Sequence, residues 1–309
     1  MDNINIPVRT KNNSHLNNLR VLEDITVIIP TVGRPILSNC LNSIAGGTSL
    51  PGCLIVIDQG SNPDVKIWIG DIVSKGVNAI HVQSHERSPS SARNAGIAQV
   101  KTKFFAAIDD DCIAASNWLD AMAACLEKRP NDIITGRVEP AGDGNPPSVV
   151  TFPEPRQYLR PSIRLMNPIT TGNYGCSLET MRKIGPFDIN LFTAEDADWG
   201  YRALKLGVAI YYEPGVIVHH FHWRNISDLR RTYDEYAWGQ GAFFGKHLKQ
   251  GDWSMVLRSL ITFYRGLKSL LFGWIKNDET RILIGIARMT HFFPGLLNGL
   301  WGFRPKGRH

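Results

Sequence analysis

Three consecutive aspartates, Asp109, Asp110 and Asp111, directly follow the apolar run Phe104–Ile108. The run predicts a buried β-strand that delivers the three carboxylates at its end. Carboxylates this close repel one another unless protons or a divalent cation neutralise them, and Mg²⁺ prefers such oxygen ligands. In an extended segment Asp109 and Asp111 would share one face, with Asp110 on the other. A solvated acidic turn is the alternative, because aspartate is common in turns.

Two further clusters of reactive residue types occur later in the chain. Glu195 and Asp196 begin a predicted helix over residues 195–206, in which neighbouring side chains diverge by about 100°, so only one would face a given site. Acidic residues are also favoured at helix N-termini for electrostatic reasons alone. The segment 219–222 reads His-His-Phe-His. His220 and His222 would share a face in an extended strand. Three histidines in four residues make a metal or phosphate site as well supported as a purely structural role.

Strand and helix patterns alternate along the first two-thirds of the chain and position these residues. Apolar runs at residues 25–29, 53–57 and 104–108 are each followed by polar residues, with helical patterns between them. Such alternation predicts an α/β fold with a mixed, mostly parallel sheet flanked by helices. Ligands of such sheets bind beyond the carboxyl ends of the strands. Residues 139–168 are rich in Pro and Gly and predict a long irregular loop.

The composition indicates a globular protein and narrows its partners. The chain has 309 residues, 43% of them hydrophobic, which suits one large domain or a domain with an extension. A net charge of +6 suits anionic partners, but nucleic acid is not expected, because basic and aromatic residues form no ordered platform. The five cysteines show no CxxC pair, which favours reduced thiols in a cytoplasmic protein. Residues 1–23 show no secretory signal and are expected to form a mobile tail.

Six motifs in a fixed order carry a family resemblance. They are Ile28-Ile29-Pro30-Thr31 with Arg34, Val56-Ile57-Asp58-Gln59-Gly60-Ser61, Ala92-Arg93-Asn94-Ala95-Gly96, the aspartate triplet, Gly185-Pro186-Phe187-Asp188, and Glu195-Asp196. Over residues 24–225 the chain resembles the family 2 glycosyltransferases, which have the GT-A fold. The resemblance implies inverting transfer of a sugar from a UDP-, GDP- or dTDP-linked donor, with Mg²⁺ or Mn²⁺ as the metal.

The resemblance also implies roles for the aspartates and histidines. Asp111 matches the family's metal-binding aspartate, and His220, with His222 as the alternate, would complete the metal shell. Asp109 would lie near the donor sugar or ribose. Asp110, also a candidate for donor binding, occupies the variable middle position, where a solvated side chain is as well supported as a role.

Donor binding is assigned by the same resemblance to strand-end residues and two arginines: Pro30, Thr31, Asp58, Gln59, Arg93 and Arg34. Gln59 stands where the family often has an acidic residue, so its contact with the nucleotide base is in question. Its amide can still donate and accept hydrogen bonds. Arg93 could otherwise be an ordinary helix-face residue, and Arg34 could pair locally.

The inverting reaction requires a base that takes the proton from the attacking acceptor hydroxyl. Asp196 is the predicted base and Glu195 the alternate, because this pair resembles the family's catalytic acids. Trp199 could stack on a sugar or fill the core. The acceptor is expected to be a glycan, a lipid-linked sugar or a small molecule, in polysaccharide or glycolipid synthesis for the cell envelope.

The segment 226–309 lies outside the resemblance and predicts a helical extension. Apolar residues at helical spacing share one face of a predicted helix: Leu257, Leu260, Ile261, Tyr264 and Leu271. Arg258 and Arg265 flank this face. Such helices either lie peripherally on an anionic membrane, here at its cytoplasmic face, or pack on the main domain with extended basic side chains.

Two other functions compete with sugar transfer. A nucleotidyltransferase acting on sugar phosphates also uses strand-end aspartates and a metal, but residues 31–34, Thr-Val-Gly-Arg, match its Gly-rich loop poorly. A catalytically degenerate module that binds a carbohydrate or a partner is the second alternative. The presence of both Asp111 and Asp196 argues against it.

Overall fold

The computed structural model describes residues 3–4, 19–141, 149–163, 167–221 and 226–302. The chain divides into two compact units. The sheet unit comprises Met1–Pro161, Asn167–Phe187 and Trp199–His222, and the helical unit comprises Ser162–Met166, Asp188–Asp198 and Trp223–His309. Residues 188–198 thus group with the C-terminal helices, although the sequence motifs placed them in the GT-A span.

Within the described ranges, ten strands form one sheet: β1 (Asn3–Ile4), β2 (Arg20–Thr31), β3 (Ser49–Asp58), β4 (Ala79–Gln83), β5 (Phe104–Ile108), β6 (Cys112–Ala114), β7 (Ile133–Ala141), β8 (Arg156–Tyr158), β9 (Asn173–Ser177) and β10 (Ile210–Phe221). Their order is β1-β4-β3-β2-β5-β9-β7-β10-β6, and β8 also pairs with β10. Strands β4, β3, β2 and β5 are parallel neighbours, while β9 runs antiparallel between β5 and β7. The predicted α/β fold with a mixed sheet is confirmed.

The helices of the described residues are α1 (Leu37–Ala45), α2 (Asp64–Ser74), α3 (Pro89–Ala98), α4 (Trp118–Lys128), α5 (Leu178–Ile184), α6 (Glu195–Lys205), α7 (Ile226–Lys249), α8 (Ser254–Lys276), α9 (Glu279–Thr290) and α10 (Phe292–Trp301). None of these helices is both long enough and apolar enough to cross a membrane.

The core of the sheet unit lies on both faces of the sheet. Side chains alternate across β2, so Val27 and Ile29 enter one apolar cluster and Ile28 enters the other. The first cluster includes residues of α1, α2 and α4, and the second includes residues of α3, α5 and α6. Burial on both faces explains why the central strands are almost continuously apolar in sequence.

Several local predictions are wrong. Strand β2 begins at Arg20 and Asn3–Ile4 pairs with β4, so these residues are not part of a free tail. Residues 210–221 form one strand with an irregularity between Glu213 and Ile217. The predicted loop contains β8. Strands β6 and β9 were not predicted, because one is three residues long and the other carries polar Asn173 and Ser177.

Helices α7 and α10 of the helical unit pack with their backbones in close contact. A Cβ atom added to Gly245 on α7 would lie 2.1 Å from the Leu296 carbonyl oxygen, and one added to Gly299 on α10 would lie 2.1 Å from that of Ala242. Only glycine permits this approach at these positions, as in small-residue contacts between membrane helices.

Candidate active site

The aspartate triplet lies in a turn rather than in an extended segment. Strand β5 ends at Ile108, and the Cys112 N–H donates to the Asp109 carbonyl at 3.1 Å. The side-chain alternation expected for an extended chain therefore does not apply. Arg34 contacts both Asp110 and Asp111, so these two adjacent carboxylates are the ones that converge.

Asp110 is buried and holds two elements together, which excludes the solvated side chain, one of its two predicted alternatives. Its carboxylate is 2% exposed. Thr31 Oγ1 donates to Asp110 Oδ2 at 2.6 Å, and the Arg34 guanidinium donates to the other oxygen. Burial raises the pKa of Asp110, although Arg34 and Thr31 act in the opposite direction. Asp110 thus ties the end of β2 and the loop after it to the aspartate turn.

Asp111 and His220 come together through the pairing of β6 with β10. His220 lies opposite Cys112 in this antiparallel pair, and the Phe221 N–H donates to the Asp111 carbonyl at 2.8 Å. The His220 Nε2 atom consequently lies 3.4 Å from Asp111 Oδ1. His222, the alternate ligand, lies outside the described residues.

The Asp111–His220 pair fits a divalent cation. Neighbouring ligand atoms of a six-coordinate ion with bonds of about 2.1 Å lie about 3 Å apart, close to the observed separation. Carboxylate and imidazole ligands together suit ions such as Mn²⁺. His220 is 8% exposed, and its buried Nδ1 atom has no hydrogen-bond partner within the described part of the chain.

Cys112 contributes a third atom close to this pair, since its Sγ lies within 4.8 Å of ligand atoms of Asp111 and His220. Burial and the neighbouring aspartates raise the pKa of the Cys112 thiol well above its usual value. The thiol is therefore protonated at neutral pH unless a cation displaces the proton. All five cysteines are free thiols, which fits the absence of paired spacing in the sequence.

Arg93 orients Asp109, and the reading of Arg93 as an ordinary helix-face residue is wrong. It is 5% exposed on α3, and its Nη2 atom donates to Asp109 Oδ1 at 3.1 Å. Its guanidinium carbon lies 5.9 Å from the centre of the Phe187 ring. Neighbouring Asn94 donates to the Phe187 carbonyl and accepts from the Phe187 N–H, both at 2.9 Å. Two sequence motifs are thereby joined beside Asp109, whose side chain is 32% exposed.

Asp58 and Gln59 lie at the end of β3, but their polar atoms already have partners within the protein. Asp58 is 2% exposed, accepts from the Gly60 N–H at 2.8 Å and lies 3.3 Å from His81 Nε2. The Gln59 amide nitrogen donates to the carbonyls of Glu86 and Ser88, just before α3. The side-chain oxygen of Gln59 is thus the atom left to contact a nucleotide base, which remains a prediction.

Glu195 and Asp196 open α6 within the helical unit. The preceding residue, Ala194, has a left-handed backbone with φ of 65°, unusual for a residue with a side chain. Glu195 is buried, whereas Asp196 is half-buried and accepts from the Ala197 N–H at 2.7 Å. Their catalytic role remains a prediction.

The next acidic residue, Asp198, holds the start of α6 to α7. Its carboxylate is fully buried, and Oδ1 lies 2.7 Å from Lys246 Nζ and 2.8 Å from His247 Nε2. Lys246 also contacts Asp188 at 2.8 Å. The sequence did not predict this cluster, because Lys246 and His247 follow Asp198 by almost fifty residues. Trp199 is buried against Phe187, with ring centres 4.9 Å apart, so it fills the core.

The comparisons with known proteins agree with this geometry. Residues 26–182, just over half of the chain, match the family model described as Glycosyl transferase family 2. The chain belongs to glycosyltransferase family 2.

The chain is similar to the pre-mycofactocin glycosyltransferase of Mycobacterium tuberculosis, with 27% identity over 66% of this chain and 44% of the relative. It is also similar to the glycosyltransferase AglE of Haloferax volcanii, with 25% identity over 62% of this chain and 65% of the relative. The match thus spans about half to two-thirds of these relatives.

Two solved structures share the fold of this family 2 chain. The mannosyltransferase PcManGT of Pyrobaculum calidifontis, in complex with GDP-Man and Mn²⁺, matches with a TM-score of 0.62 and 12% identity over 90% of this chain and 87% of that one. TarS of S. aureus, residues 1–349 in complex with UDP-GlcNAc, matches with a TM-score of 0.56 and 16% identity over 90% and 92%. At these identities the likeness concerns the fold.

Proposed function

We propose that this protein transfers a sugar from a nucleoside diphosphate donor to an acceptor hydroxyl, with inversion at the anomeric carbon. The proposal rests mainly on the 3.4 Å separation of Asp111 Oδ1 and His220 Nε2 at the end of the sheet. Family membership and the glycosyltransferase names of its relatives support it. Fold relatives in complex with UDP-GlcNAc or with GDP-Man and Mn²⁺ support a nucleotide-sugar donor.

In this proposal Asp111 and His220 hold a Mg²⁺ or Mn²⁺ ion. When bound, such an ion neutralises the negative charge that accumulates on a departing diphosphate. Arg34, whose side chain is 32% exposed, lies 3.7 Å from Asp111 Oδ2 and adds positive charge beside it. Asp109, which is oriented by Arg93 and partly exposed, is the proposed acceptor of a hydrogen bond from a hydroxyl of the donor. Pro30, Thr31, Asp58 and Gln59 are the proposed contacts for the nucleoside of the donor.

Asp196 is the proposed base and Glu195 the alternate. The base accepts the proton of the acceptor hydroxyl as that oxygen attacks the anomeric carbon. Asp196 is the more accessible of the two carboxylates, because Glu195 is 7% exposed. A reacting acceptor can therefore reach Asp196 with less rearrangement.

The proposed acceptor is a glycan, a lipid-linked sugar or a small molecule, in polysaccharide or glycolipid synthesis for the cell envelope. The proposed location is the cytoplasm, with peripheral contact at the inner face of the membrane. Its support is the basic, amphipathic character of the C-terminal helices.

The first test is thermal stabilisation by UDP-, GDP- and dTDP-sugars with and without Mn²⁺, since a ligand that binds the folded state raises Tm. At least one donor should raise Tm in a metal-dependent way. Asp111→Asn should lose this shift, and Asp71→Asn on the exposed face of α2 should keep it. Absence of any metal-dependent shift would refute the donor site.

Turnover separates the remaining alternatives. A degenerate binding module would show stabilisation by a donor without transfer or donor hydrolysis. A nucleotidyltransferase would instead release pyrophosphate from a nucleoside triphosphate and a sugar phosphate.

A further inference from the structure

Helix α8 is packed with its apolar face outward. Its buried positions hold mostly small or polar residues, including Thr262, Gly266 and Gly273, and even Arg258 is 3% exposed. Its large apolar side chains are exposed, among them Leu257 (47%), Leu260 (63%), Tyr264 (63%), Leu271 (56%) and Trp274 (75%). A helix on the surface of a water-soluble domain shows the opposite arrangement, with its apolar stripe facing the core.

The inward face of α8 explains this orientation. A Cβ atom added to Gly273 would lie 2.9 Å from the Ile282 nitrogen on α9, and one added to Gly266 would lie 3.0 Å from the Arg288 Cβ. Close contact with α9 therefore requires the small-residue face of α8 to point inward. The apolar face is left exposed as a consequence of specific packing.

The exposed apolar surface continues onto α10. The rings of Phe263 on α8 and Phe293 on α10 lie 5.9 Å apart. Phe293, Leu297 and Trp301 follow one another at four-residue spacing along α10 and are 43%, 44% and 65% exposed. Two helices of the helical unit thus present one apolar surface, called here the α8–α10 surface. Isolated exposed apolar residues are ordinary, but a continuous surface of this kind marks an interaction site.

Charge identifies the kind of partner. Residues 254–309 contain nine Lys and Arg against two acidic residues, whereas residues 1–253 contain 25 against 26. The whole positive excess of the chain is therefore confined to the segment that carries the apolar surface. Helix α8 has no acidic residue, and its Lys268 and Lys276 are exposed beside the apolar stripe.

Arg265 on α8 and Arg288 on α9 reinforce this preference. Burial lowers the pKa of Arg288, and the positive charge of Arg265 lowers it further. Folding thus brings a second guanidinium group close to Arg288, in keeping with the excess of positive charge in this segment.

We propose that the α8–α10 surface binds an anionic lipid bilayer, with both helices lying in the interface between headgroups and acyl chains. The apolar face, the basic residues beside it and the exposed Trp and Tyr side chains match this environment. A protein partner would more commonly present or accept both signs of charge, and the described helices are not suited to cross the bilayer. The inference does not depend on the proposed sugar transfer.

Co-sedimentation of the full chain with vesicles tests the inference. We expect binding to phosphatidylcholine vesicles that contain phosphatidylglycerol, and much weaker binding to phosphatidylcholine alone. Leu260→Ser combined with Leu271→Ser should weaken binding by at least about tenfold, because apolar side chains leave the acyl region. Ile67→Ser, at an apolar residue of α2 that is 60% exposed, should leave binding unchanged.

A charge variant and a spectroscopic readout complete the test. Lys268→Gln combined with Lys276→Gln should weaken binding to the anionic vesicles by about fivefold for each charge removed. Trp274 should be quenched by brominated lipids, as judged from the quenching lost in Trp274→Phe. Absence of wild-type binding, or equal binding by the leucine variant and wild type, would overturn the inference. A third outcome would also overturn it: the wild-type protein is a dimer that does not bind vesicles, and the leucine variant is a monomer. In that case the α8–α10 surface would bind a second copy of the chain.

Discussion

The Nε2 atom of His220 lies 3.4 Å from Oδ1 of Asp111, although the two residues come from distant parts of the chain. The three-residue strand β6 produces this relationship, since it starts directly after Asp111 and pairs with the end of β10. In the pairing His220 lies opposite Cys112, while His219 points away, is 39% exposed and lies 3.6 Å from Glu139. One residue of register thus selects which histidine faces the aspartate.

Metal binding should depend on His220 and not on its neighbour. Loss of one of the two protein ligands in His220→Gln should weaken Mn²⁺ binding by at least about tenfold, as measured by titration calorimetry or by electron paramagnetic resonance of free Mn²⁺. His219→Gln is the matched control and should bind Mn²⁺ like wild type. The assignment would fail if His219→Gln lost the metal while His220→Gln kept it.

Removal of the proposed base should impair turnover more than donor binding. Asp196→Asn should lower kcat by roughly 10²- to 10⁴-fold, with little change in stabilisation by the donor, because the base acts on the acceptor hydroxyl. Glu195→Gln should have a smaller effect on kcat. The reverse pattern, with Glu195→Gln inactive and Asp196→Asn active, would move the base to Glu195.

The sequence predicted the fold and most of the helices because long apolar runs with regular periodicity depend on local chemistry. It could not predict the partners of the aspartates. For Asp110 the sequence left a solvated side chain and a donor-binding role equally open, because its partners Thr31 and Arg34 reach it through the β2–β5 pairing. The role of Arg93 was ambiguous for the same reason. Its position on a helix did not reveal that its guanidinium contacts Asp109.

The outward apolar face of α8 was the least predictable feature. The sequence indicated that Leu257, Leu260 and Tyr264 share a face, but periodicity does not distinguish an inward from an outward orientation. The decisive information lies in Gly266 and Gly273, which favour packing of the opposite face. In the sequence alone, a glycine in a helical pattern does not indicate which face of the helix is buried, because the neighbouring helix is not known.

The buried Asp198 cluster should contribute strongly to stability. Asp198→Ala would leave Lys246 and the 2%-exposed His247 without this shared acceptor, and removal of one member of a buried charged pair costs about 3–5 kcal/mol. Chemical denaturation should therefore show a large loss in the free energy of unfolding. Asp71→Ala, at an exposed position of α2, should change it by less than about 0.5 kcal/mol. A loss for Asp198→Ala as small as that of the control would refute the structural role.

Asp188 should make stability depend on pH in the acid range. Burial raises the pKa of Asp188, but hydrogen bonds from Lys246 and Asn190 and the charge of Lys246 outweigh it, so the pKa in the folded protein is lowered. Because the pKa is lower in the folded than in the unfolded protein, ionised Asp188 stabilises the fold at pH values above its unfolded pKa of about 3.9. This contribution is lost as the pH falls through the pKa of the folded protein. Asp188→Asn should accordingly be less stable than wild type at pH 7, and the difference should disappear once the pH is low enough to protonate Asp188 in the folded protein. A difference that persisted at low pH would contradict this origin.

The contact between α7 and α10 predicts opposite outcomes for two helical glycines. A methyl group at Gly245 would lie 2.1 Å from the Leu296 backbone oxygen, which no side-chain rotation can relieve, so Gly245→Ala should destabilise the protein by about 1–3 kcal/mol or more. Gly70 on α2 has no atom within 4 Å of an added Cβ. Because alanine is the better helix former, Gly70→Ala should stabilise by roughly 0.5–1 kcal/mol. Thermal and urea unfolding of the two variants measures the contrast, and equal stability changes would show that the helices do not approach this closely in solution.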